Sequence, residues 1–430
     1  MGKFDLVDVS RKLQIKDYER FGKGTEHRLR GLARPLRGAR IIHVNTTSVG
    51  GGVAELLQSQ VPFERALGIK SRWYAIRAPH QFFSATKQLH DLLQGKHGKL
   101  GEKEKNTYLE VNRGLGKLFA GIVRSFRPDL VVIHDPQPLP LIAALNGKVP
   151  IISRLHLDLL TPNPLTLEFI RPFITNADRV ILSSREYAAN LPWVPKSRKV
   201  VIFPAIDPLA EKNRDISPDT ARGILRTFGV NMAKPVISQV SRFDPWKDPM
   251  GVVRAYYLAK NKIPNLELVL AGLFLANDDP EAVGVFERVK KHAKGDPEIF
   301  LFADPRAIRD VSADLFVSAI YAASTVIMQK SIREGFGLTM TEAMWKGKAI
   351  VAGDTSGARA QVRNGKTGII VSSPEEAARA IVRLLKDETL RARIGRAARE
   401  SVRRHFLMPR FVADNLKAYL VALAVRIPHT

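Results

Sequence analysis

Two acidic and two basic side chains in the second half of the chain have the types and spacing that suit an activated sugar. Glu334 and Glu342 lie eight positions apart, and Arg242 and Lys247 follow an earlier apolar run. Guanidinium and ammonium groups bind a diphosphate well, because they donate charge-assisted hydrogen bonds to phosphate oxygens. Carboxylates repel phosphate and are better suited to hydroxyl groups. A sugar nucleotide offers a diphosphate and hydroxyls together, so this set predicts that class of ligand.

A glycine turn must position the two glutamates. An apolar run ending at Met328 predicts a buried strand, the turn of residues 334–337 follows it, and a helix is predicted from about Thr339. A helix start offers free N–H groups and the positive end of the helix dipole, which suit a phosphate. The predicted phosphate cradle consists of Gly335, Phe336, Gly337, Leu338 and Thr339.

Both signals have a plainer interpretation. Thr339 and Glu342 have the spacing of a capping box, in which the carboxylate only satisfies backbone N–H groups of the helix. Arg242 and Lys247 can form surface ion pairs with the aspartates beside them. The similar placement of the cations and of the glycine turn, each after a predicted strand, favours the phosphate interpretation.

The first half of the chain has the same order of strand, glycine loop and helix. Residues 40–45 predict a buried strand, three glycines end at Gly52, and residues 53–67 have helical spacing. The loop lacks the G-x-G-x-x-G spacing of nicotinamide sites. Gly51 and Gly52 are therefore interpreted as positions where the backbone approaches a ligand closely.

Polar residues follow two further strands of this half. Asp135 and Gln137 come directly after one strand, and His156 and Asp158 after the next. The carboxyl ends of parallel strands carry the sites of doubly wound sheets. A single histidine, such as His43 or His134, usually has a structural role. His156 is the stronger candidate, because it lies between an arginine and an aspartate at a strand end.

Strands that alternate with helical stretches predict an α/β fold with doubly wound parallel sheets. Two prolines in residues 204–208 lack helical periodicity and indicate a linker. We expect a first domain over residues 1–205, a second over 206–408, and a helix in 409–430 that packs back on the first domain.

Two segments lie outside this alternation. Residues 1–38 are polar and charged, and we expect irregular or helical structure there. Residues 77–113 are also polar and contain no obvious strand, so we expect a long insertion. Insertions of that length in α/β units often have a function.

The composition excludes several classes of protein. The chain has no cysteine, which excludes disulfides, thiolate catalysis and zinc–thiolate sites. The start lacks the apolar core of a signal peptide, and no run reaches the roughly 20 apolar residues of a membrane span, so we expect a soluble cytoplasmic protein. The net charge of +25 is spread along the chain without an RNA-binding signature. Neither nucleic acid nor a membrane is therefore an expected partner. The composition also suits a thermophile.

The glycine loop, Arg242 with Lys247, and the E-x7-E pair of Glu334 and Glu342 resemble retaining glycosyltransferases of the GT-B fold, family four. The segments that are most similar to the trehalose glycosyltransferring synthases of that family are HVNTTSVGGGVAE, VIHDPQP, HLDLLTPN, SQVSRFDPWK and SIREGFGLTMTEAMWKGK. The resemblance covers the chain from about residue 40 onward. It implies two Rossmann-like domains that face each other across a cleft. It also implies a nucleotide-glucose donor (UDP-, ADP- or GDP-glucose) and glucose as acceptor, without a cofactor, and it allows a homodimer.

The resemblance also implies a role for each candidate residue. On the donor side, the departing diphosphate is held by Arg242, Lys247 and the cradle backbone, the ribose hydroxyls by Glu342, and the donor sugar by Glu334. Close to the reacting carbon and the acceptor are His156, Gly51, Gly52, Asp135, Gln137 and Asp158. Residues 354–361 depart from the more glycine-rich pattern of the family, which leaves the role of Gln361 open.

The expected mechanism follows from the charge that develops on the leaving diphosphate. No D-x-D-like metal cradle is evident, so Arg242 and Lys247 are expected to take the place of a metal. No carboxylate stands out as a covalent nucleophile, which favours a front-face displacement. The alternatives are a trehalose phosphorylase, a glycosyltransferase with another sugar or a lipid acceptor, and a nucleic-acid-binding protein. A lipid enzyme should have an exposed basic and apolar helix, and residues 87–105 are basic but poorly amphipathic.

Overall fold

The computed structural model describes residues 2–145, 147–273, 281–308 and 311–424. They form two compact units, and the chain passes from the first to the second after Pro204 and returns after Leu407. Each unit contains one β-sheet and the helices that connect its strands. The predicted α/β class with two doubly wound domains is confirmed.

The sheet of the first unit has seven strands in the order β1-β3-β2-β4-β5-β6-β7. The strands are β1 (Lys3–Leu6), β2 (Arg40–Asn45), β3 (Lys70–Arg77), β4 (Leu130–His134), β5 (Ile151–Leu155), β6 (Arg179–Leu182) and β7 (Lys199–Val201). Every neighbouring pair is parallel except β1 with β3. The central strands β4 and β5 are buried along their whole length, as their short apolar runs predict.

The helices of this unit before residue 204 are α1 (Thr25–Ala33), α2 (Gly52–Ala66), α3 (His80–Leu93), α4 (Glu102–Phe126), α5 (Leu141–Ala144) and α6 (Pro164–Thr175). Side chains alternate between the two faces of a strand. Tyr74 and Ile76 accordingly pack with residues of α3 and α4, whereas Trp73 packs with residues of α2. Both faces of the sheet are therefore covered by helices.

One sequence-based expectation for this unit was wrong, and another was incomplete. Residues 1–38 are not only irregular or helical, because β1 adds an antiparallel edge strand with Leu6 opposite Tyr74. Residues 77–113 contain no further strand among those described, as expected, but they are helical, because α3 and the first half of α4 occupy them. The apolar residues Phe82, Leu89 and Leu93 are buried along one side of α3, and the many polar residues between them obscured this periodicity.

The sheet of the second unit has six strands in the order β10-β9-β8-β11-β12-β13, all parallel. The strands are β8 (Val236–Val240), β9 (Glu267–Ala271), β10 (Ile299–Phe302), β11 (Val326–Gln329), β12 (Ile350–Gly353) and β13 (Ile369–Val371). The helices are α7 (Pro218–Thr227), α8 (Pro249–Lys260), α9 (Ala282–His292), α10 (Ala313–Ala323), α11 (Leu338–Trp345), α12 (Ser356–Gln361), α13 (Pro374–Lys386) and α14 (Glu388–His405).

The last helix, α15 (Met408–Ala424), is part of the first unit. The buried Arg154 donates a hydrogen bond from Nη1 to Asn415 Oδ1 at 2.8 Å and lies over the ring of Phe411. Tyr419 donates from its hydroxyl to Glu64 Oε1 at 2.9 Å. These contacts attach α15 to β5 and α2. Among the described residues, no helix has the length and apolar character needed to span a membrane.

Candidate active site

Lys247 and Glu334 form an ion pair where the neighbouring strands β8 and β11 end. The Lys247 ammonium lies 2.5 Å from Glu334 Oε2, and the two side chains are 17% and 10% exposed. Ser331 donates a hydrogen bond from its hydroxyl to the same carboxylate oxygen at 3.3 Å. The structure thus brings together a cation and a carboxylate that the sequence placed in one site. Mostly buried, the pair is screened less by water than a surface pair.

The loops that carry this ion pair are joined by hydrogen bonds. Gln239, on β8, donates from Nε2 to the carbonyl of Lys247 at 2.9 Å and accepts from the backbone N–H of Lys330 at 2.8 Å. The N–H of Ile332 donates to the carbonyl of Trp246 at 2.8 Å. Because each loop is tied to the other, the position of Lys247 relative to Glu334 is fixed by backbone as well as by charge.

Arg242 lies in the same loop as Lys247 but is more exposed. Its Nη2 is 3.8 Å from Asp244 Oδ2, and its side chain is 36% exposed. This long contact matches the surface ion pair expected as the plainer interpretation of Arg242. The same interpretation is wrong for Lys247, since its partner is Glu334, while Asp248 pairs with Lys330. A partly exposed guanidinium can bind an incoming anion.

The glycine turn has a conformation that only glycine adopts easily. Gly337 has φ of 82° and is the N-cap of α11. A Cβ atom there would lie 2.6 Å from Met340 Cε and 3.0 Å from Glu334 Cγ. No side chain caps this helix, and Thr339 lies inside it. The capping-box interpretation is therefore wrong, since no described side chain caps the first N–H groups of α11.

Glu342 lies one turn into α11 and forms a separate, buried cluster. Its carboxylate accepts a hydrogen bond from the hydroxyl of Tyr321 at 3.0 Å and lies 2.8 Å from the ammonium of Lys212. Glu342 is only 1% exposed. The role of Glu342 toward ribose hydroxyls stays a prediction.

Gln361 at the end of α12 stabilises the glycine turn by hydrogen bonds. The sequence left its role open. Its Nε2 donates to the carbonyl of Phe336 at 2.5 Å, and its Oε1 accepts from the hydroxyl of Thr341 at 2.5 Å. The start of α12 touches the same turn, because the N–H of Gly357 donates to the carbonyl of Glu334 at 3.1 Å. In the sequence, only the departure of residues 354–361 from the expected glycine-rich pattern indicated that Gln361 differs from the family.

The glycine loop of the first unit begins α2. Gly51 is the N-cap with φ of 87°, Gly50 has φ of 69°, and Gly52 is the first helical residue. A Cβ atom on Gly51 would meet no atom within 4 Å, so the backbone conformation and not local packing requires glycine there. The predicted close approach of Gly51 and Gly52 to a ligand stays a prediction.

The strand-end residues of the first unit are held in place by backbone contacts. Asp135 has φ of 65° and accepts a hydrogen bond from the backbone N–H of His156 at 2.7 Å. The buried Asp158 accepts from the N–H of Leu160 at 2.8 Å. Asn112 of α4 donates to the carbonyl of Gln137 at 3.0 Å. Asp135 therefore joins the ends of β4 and β5, as the predicted site requires.

His156 is connected to two further histidines, which the sequence assigned to structural roles. Its Nε2 is 3.0 Å from His134 Nδ1, and His134 Nε2 is 3.1 Å from His43 Nδ1. His43 Nε2 is in turn 3.0 Å from Glu64 Oε2. Within the described part of the chain, no group of three or more histidine, aspartate and glutamate side chains is arranged to hold a metal ion.

Comparison with known proteins relates both units to enzymes. The family "Trehalose synthase, N-terminal domain" matches residues 43–189, and "Glycosyl transferases group 1" matches residues 224–401. A trehalose synthase of Pyrococcus horikoshii is 40% identical over 96% of this chain and 96% of its own length. That of Rubrobacter xylanophilus is 39% identical over 92% and 94%. The chain belongs to the trehalose synthase family.

Solved structures show that this member of the trehalose synthase family has the GT-B fold. A sucrose-phosphate synthase from Thermosynechococcus elongatus superposes with a TM-score of 0.70 at 19% identity, over 90% of this chain and 100% of that one. A trehalose-phosphate synthase from Burkholderia vietnamiensis has a TM-score of 0.70 at 15% identity, over 91% and 100%. The fold and the family matches together show that the chain is an enzyme of the glycosyltransferase type, as predicted.

Proposed function

We propose that the enzyme transfers glucose from UDP-, ADP- or GDP-glucose to free glucose and forms trehalose with retention of the anomeric configuration. The names of the relatives that cover nearly the whole chain support the product. The observation that carries the proposed donor chemistry is the Lys247–Glu334 pair beside the start of α11, with Arg242 in the same loop.

In this proposal Lys247 exchanges its carboxylate partner for the diphosphate of the donor. Arg242 adds a second cation, and the backbone N–H groups of residues 336–339 add oriented dipoles. The charge on the diphosphate increases as its bond to the sugar breaks. Fixed positive groups therefore stabilise the transition state more than the bound donor, which is the condition for catalysis.

Glu334 is then available to accept a hydrogen bond from a hydroxyl of the donor sugar. A carboxylate held by Ser331 keeps its position when Lys247 turns to the phosphate. In the first unit, His156 is proposed to act at the sugar, and Asp135, Gln137 and Asp158 to serve the acceptor. Asp135 and His156 are already joined by the hydrogen bond between their loops.

The proposed reaction is a metal-independent front-face displacement. The bond between the anomeric carbon and the phosphate oxygen breaks, and the acceptor oxygen bonds to the same face of that carbon. The proton of the acceptor hydroxyl passes to the leaving phosphate, so the products are trehalose and the nucleoside diphosphate. Arg242 and Lys247 supply the positive charge that a metal would otherwise supply.

A single set of incubations tests the proposal. The purified protein is mixed with glucose and UDP-, ADP- or GDP-glucose, with and without EDTA, and the disaccharide is identified by NMR. We expect α,α-linked trehalose with at least one donor and equal rates with EDTA. The absence of trehalose with all three donors would refute the proposed reaction, and loss of activity with EDTA would refute metal independence.

Trehalose phosphorylase is the second candidate, because relatives with that name also match. The protein of Pleurotus pulmonarius is 28% identical over 93% of this chain, but the match covers 59% of the longer relative. Incubation of trehalose with phosphate distinguishes the two functions. Release of glucose 1-phosphate, without trehalose formation from any nucleotide sugar, would favour the phosphorylase.

A further inference from the structure

A continuous row of hydrogen-bonded side chains runs through the first unit, from His156 through His134 and His43 to Glu64. The three links measure 3.0, 3.1 and 3.0 Å. His43, His134 and Glu64 are at most 1% exposed, whereas His156 is partly exposed. Of these groups, only His156 is assigned to the proposed reaction. Four ionisable groups in a buried row are costly unless each hydrogen bond is satisfied, so their arrangement needs a reason.

Glu64 is the fixed acceptor at the buried end of the row. Its Oε1 accepts from Gln60 Nε2 at 2.8 Å and from the hydroxyl of Tyr419 at 2.9 Å, and its Oε2 accepts from the hydroxyl of Ser71 at 2.5 Å as well as from His43. Burial raises the pKa of Glu64, but His43 and the hydrogen bonds from His43, Ser71 and Gln60 lower it further, so the net direction is down. The group is therefore a carboxylate, which can only accept.

A neutral imidazole has one N–H and one bare nitrogen, so a fixed acceptor at one end determines every link. His43 must donate from Nε2 to Glu64, which leaves its Nδ1 bare. His134 must then donate from Nε2 to His43, and His156 from Nε2 to His134. His156 Nδ1 is bare as a result, on the one imidazole of the row that solvent reaches.

Burial and charge both keep the middle and the end of the row neutral. Burial lowers the pKa of His134 well below its ordinary value, and the repulsion that a charged His134 would meet from a charged His156 or His43 and from Arg154 lowers it further. Burial and the charge of Arg154 do the same for the pKa of His156. Arg154 is a permanent cation at the end of β5 with no carboxylate among its hydrogen-bond partners, which are Asn415 and the carbonyl of Ile202.

We propose that Glu64, acting through His43 and His134, fixes His156 in the Nε2–H tautomer, so that His156 Nδ1 accepts a hydrogen bond from a hydroxyl of the bound sugar. Glu64, His43 and His134 are positioning residues in this proposal. It rests on the proposed function only for the identity of the hydroxyl, since the tautomer is a property of the free protein.

One added proton would reverse the row. An imidazolium on His43, paired with Glu64, donates from both nitrogens, and His134 and His156 must then point the other way, with an N–H at His156 Nδ1. The charged groups that act on the row include Glu64 on α2 and Arg154 on β5, and Asp135 and Arg410 act on Arg154 in turn. With the row in this orientation, the acceptor at His156 Nδ1 is lost.

The first test reads the tautomer directly, without a substrate. The full chain is labelled with ¹⁵N-histidine, and the His156 signals are assigned by comparison with the His156→Gln variant. We expect a bare Nδ1 and a protonated Nε2 near neutral pH. A protonated Nδ1, or an imidazolium, would overturn the proposal even if no variant of Glu64 folds.

The second test uses Glu64→Gln, with Tyr419→Phe as the matched control. A glutamine amide can donate or accept, so His156 should populate both tautomers, and kcat should fall by about tenfold, the worth of one hydrogen bond. Tyr419→Phe removes a neutral donor from the same carboxylate and should leave both the tautomer and kcat unchanged. An unchanged His156 tautomer in a folded Glu64→Gln variant would overturn the proposal. Absence of transfer in the parent protein would instead refute the proposed function. The NMR result would then still show whether the row fixes the tautomer of His156.

Discussion

Replacement of Lys247 by methionine tests the proposed diphosphate site, because it removes the ammonium and keeps most of the aliphatic stem. The proposed site predicts two separate effects. The protein loses the ion pair with Glu334, and the transition state loses one cation near the departing diphosphate. The first effect concerns stability and the second concerns turnover, so they can be measured independently.

The expected sizes follow from burial. The Lys247 and Glu334 side chains are 17% and 10% exposed, so the pair lies between a surface pair and a fully buried one. We expect a loss of about 1–3 kcal/mol in the free energy of unfolding. Loss of one fixed positive group at a developing anion lowers kcat by about 10²–10³-fold. Glu334, left without its cation, would also repel the diphosphate.

Lys260→Met is a suitable control. Lys260 pairs with Asp296 at 2.8 Å and with Glu298 at 2.6 Å, with a side chain 24% exposed, in the same unit but on the last turn of α8. Urea unfolding and initial rates of nucleoside diphosphate release are measured for both variants. We expect similar losses of stability but a loss of kcat only for Lys247→Met. Equal kcat values for the two variants would show that Lys247 has only a structural role.

Three further changes test other parts of the second unit. Glu342→Gln leaves Lys212 without its carboxylate and should lower the free energy of unfolding by about 3 kcal/mol and weaken donor binding in calorimetry; an unchanged melting temperature would contradict this. Gln361→Leu removes the hydrogen bonds to Phe336 and Thr341 and should raise KM for the donor several-fold and lower the urea midpoint, whereas an unchanged KM would show that the turn holds without them. Burial lowers the pKa of Lys348 from 10.5 to about 8, so the unfolded chain binds more protons between these values and stability should rise across that range. Burial also lowers the pKa of Lys346 to about 8, so urea titrations should show that Lys348→Met makes this rise smaller without abolishing it.

Local sequence patterns predicted the elements that carry the site but not all of their partners. The positions of Lys247 and Glu334 after strands follow from apolar runs that local residues determine. The strand β1 was missed, because its four residues become a strand only by pairing with β3. Gln361 was left open, because its partner carbonyls belong to a turn that lies distant in sequence and close only in the fold.

The histidine row shows why side-chain partners are harder to predict than strands. His43, His134 and His156 lie on or directly after β2, β4 and β5, and these strands are consecutive in the sheet. In the sequence β3 comes between β2 and β4, and no local pattern indicates that it pairs on the other side of β2. Only the strand order shows that the three imidazoles are neighbours.

The same departure from sequence order explains the location of the candidate site in each unit. All these strands are parallel, but the order in which the chain adds them changes direction. In the first sheet the chain adds β3 on one side of β2 and then β4 on the other, and in the second sheet it adds β9 on one side of β8 and later β11 on the other. At such a point the connections from adjacent strands leave toward opposite faces, and a crevice opens at the carboxyl ends of the strands. Gly51 and Asp135 follow β2 and β4, and Lys247 and Glu334 follow β8 and β11. The candidate residues of both units therefore lie where the topology itself creates space for a ligand, which supports a binding role more strongly than the residue types alone.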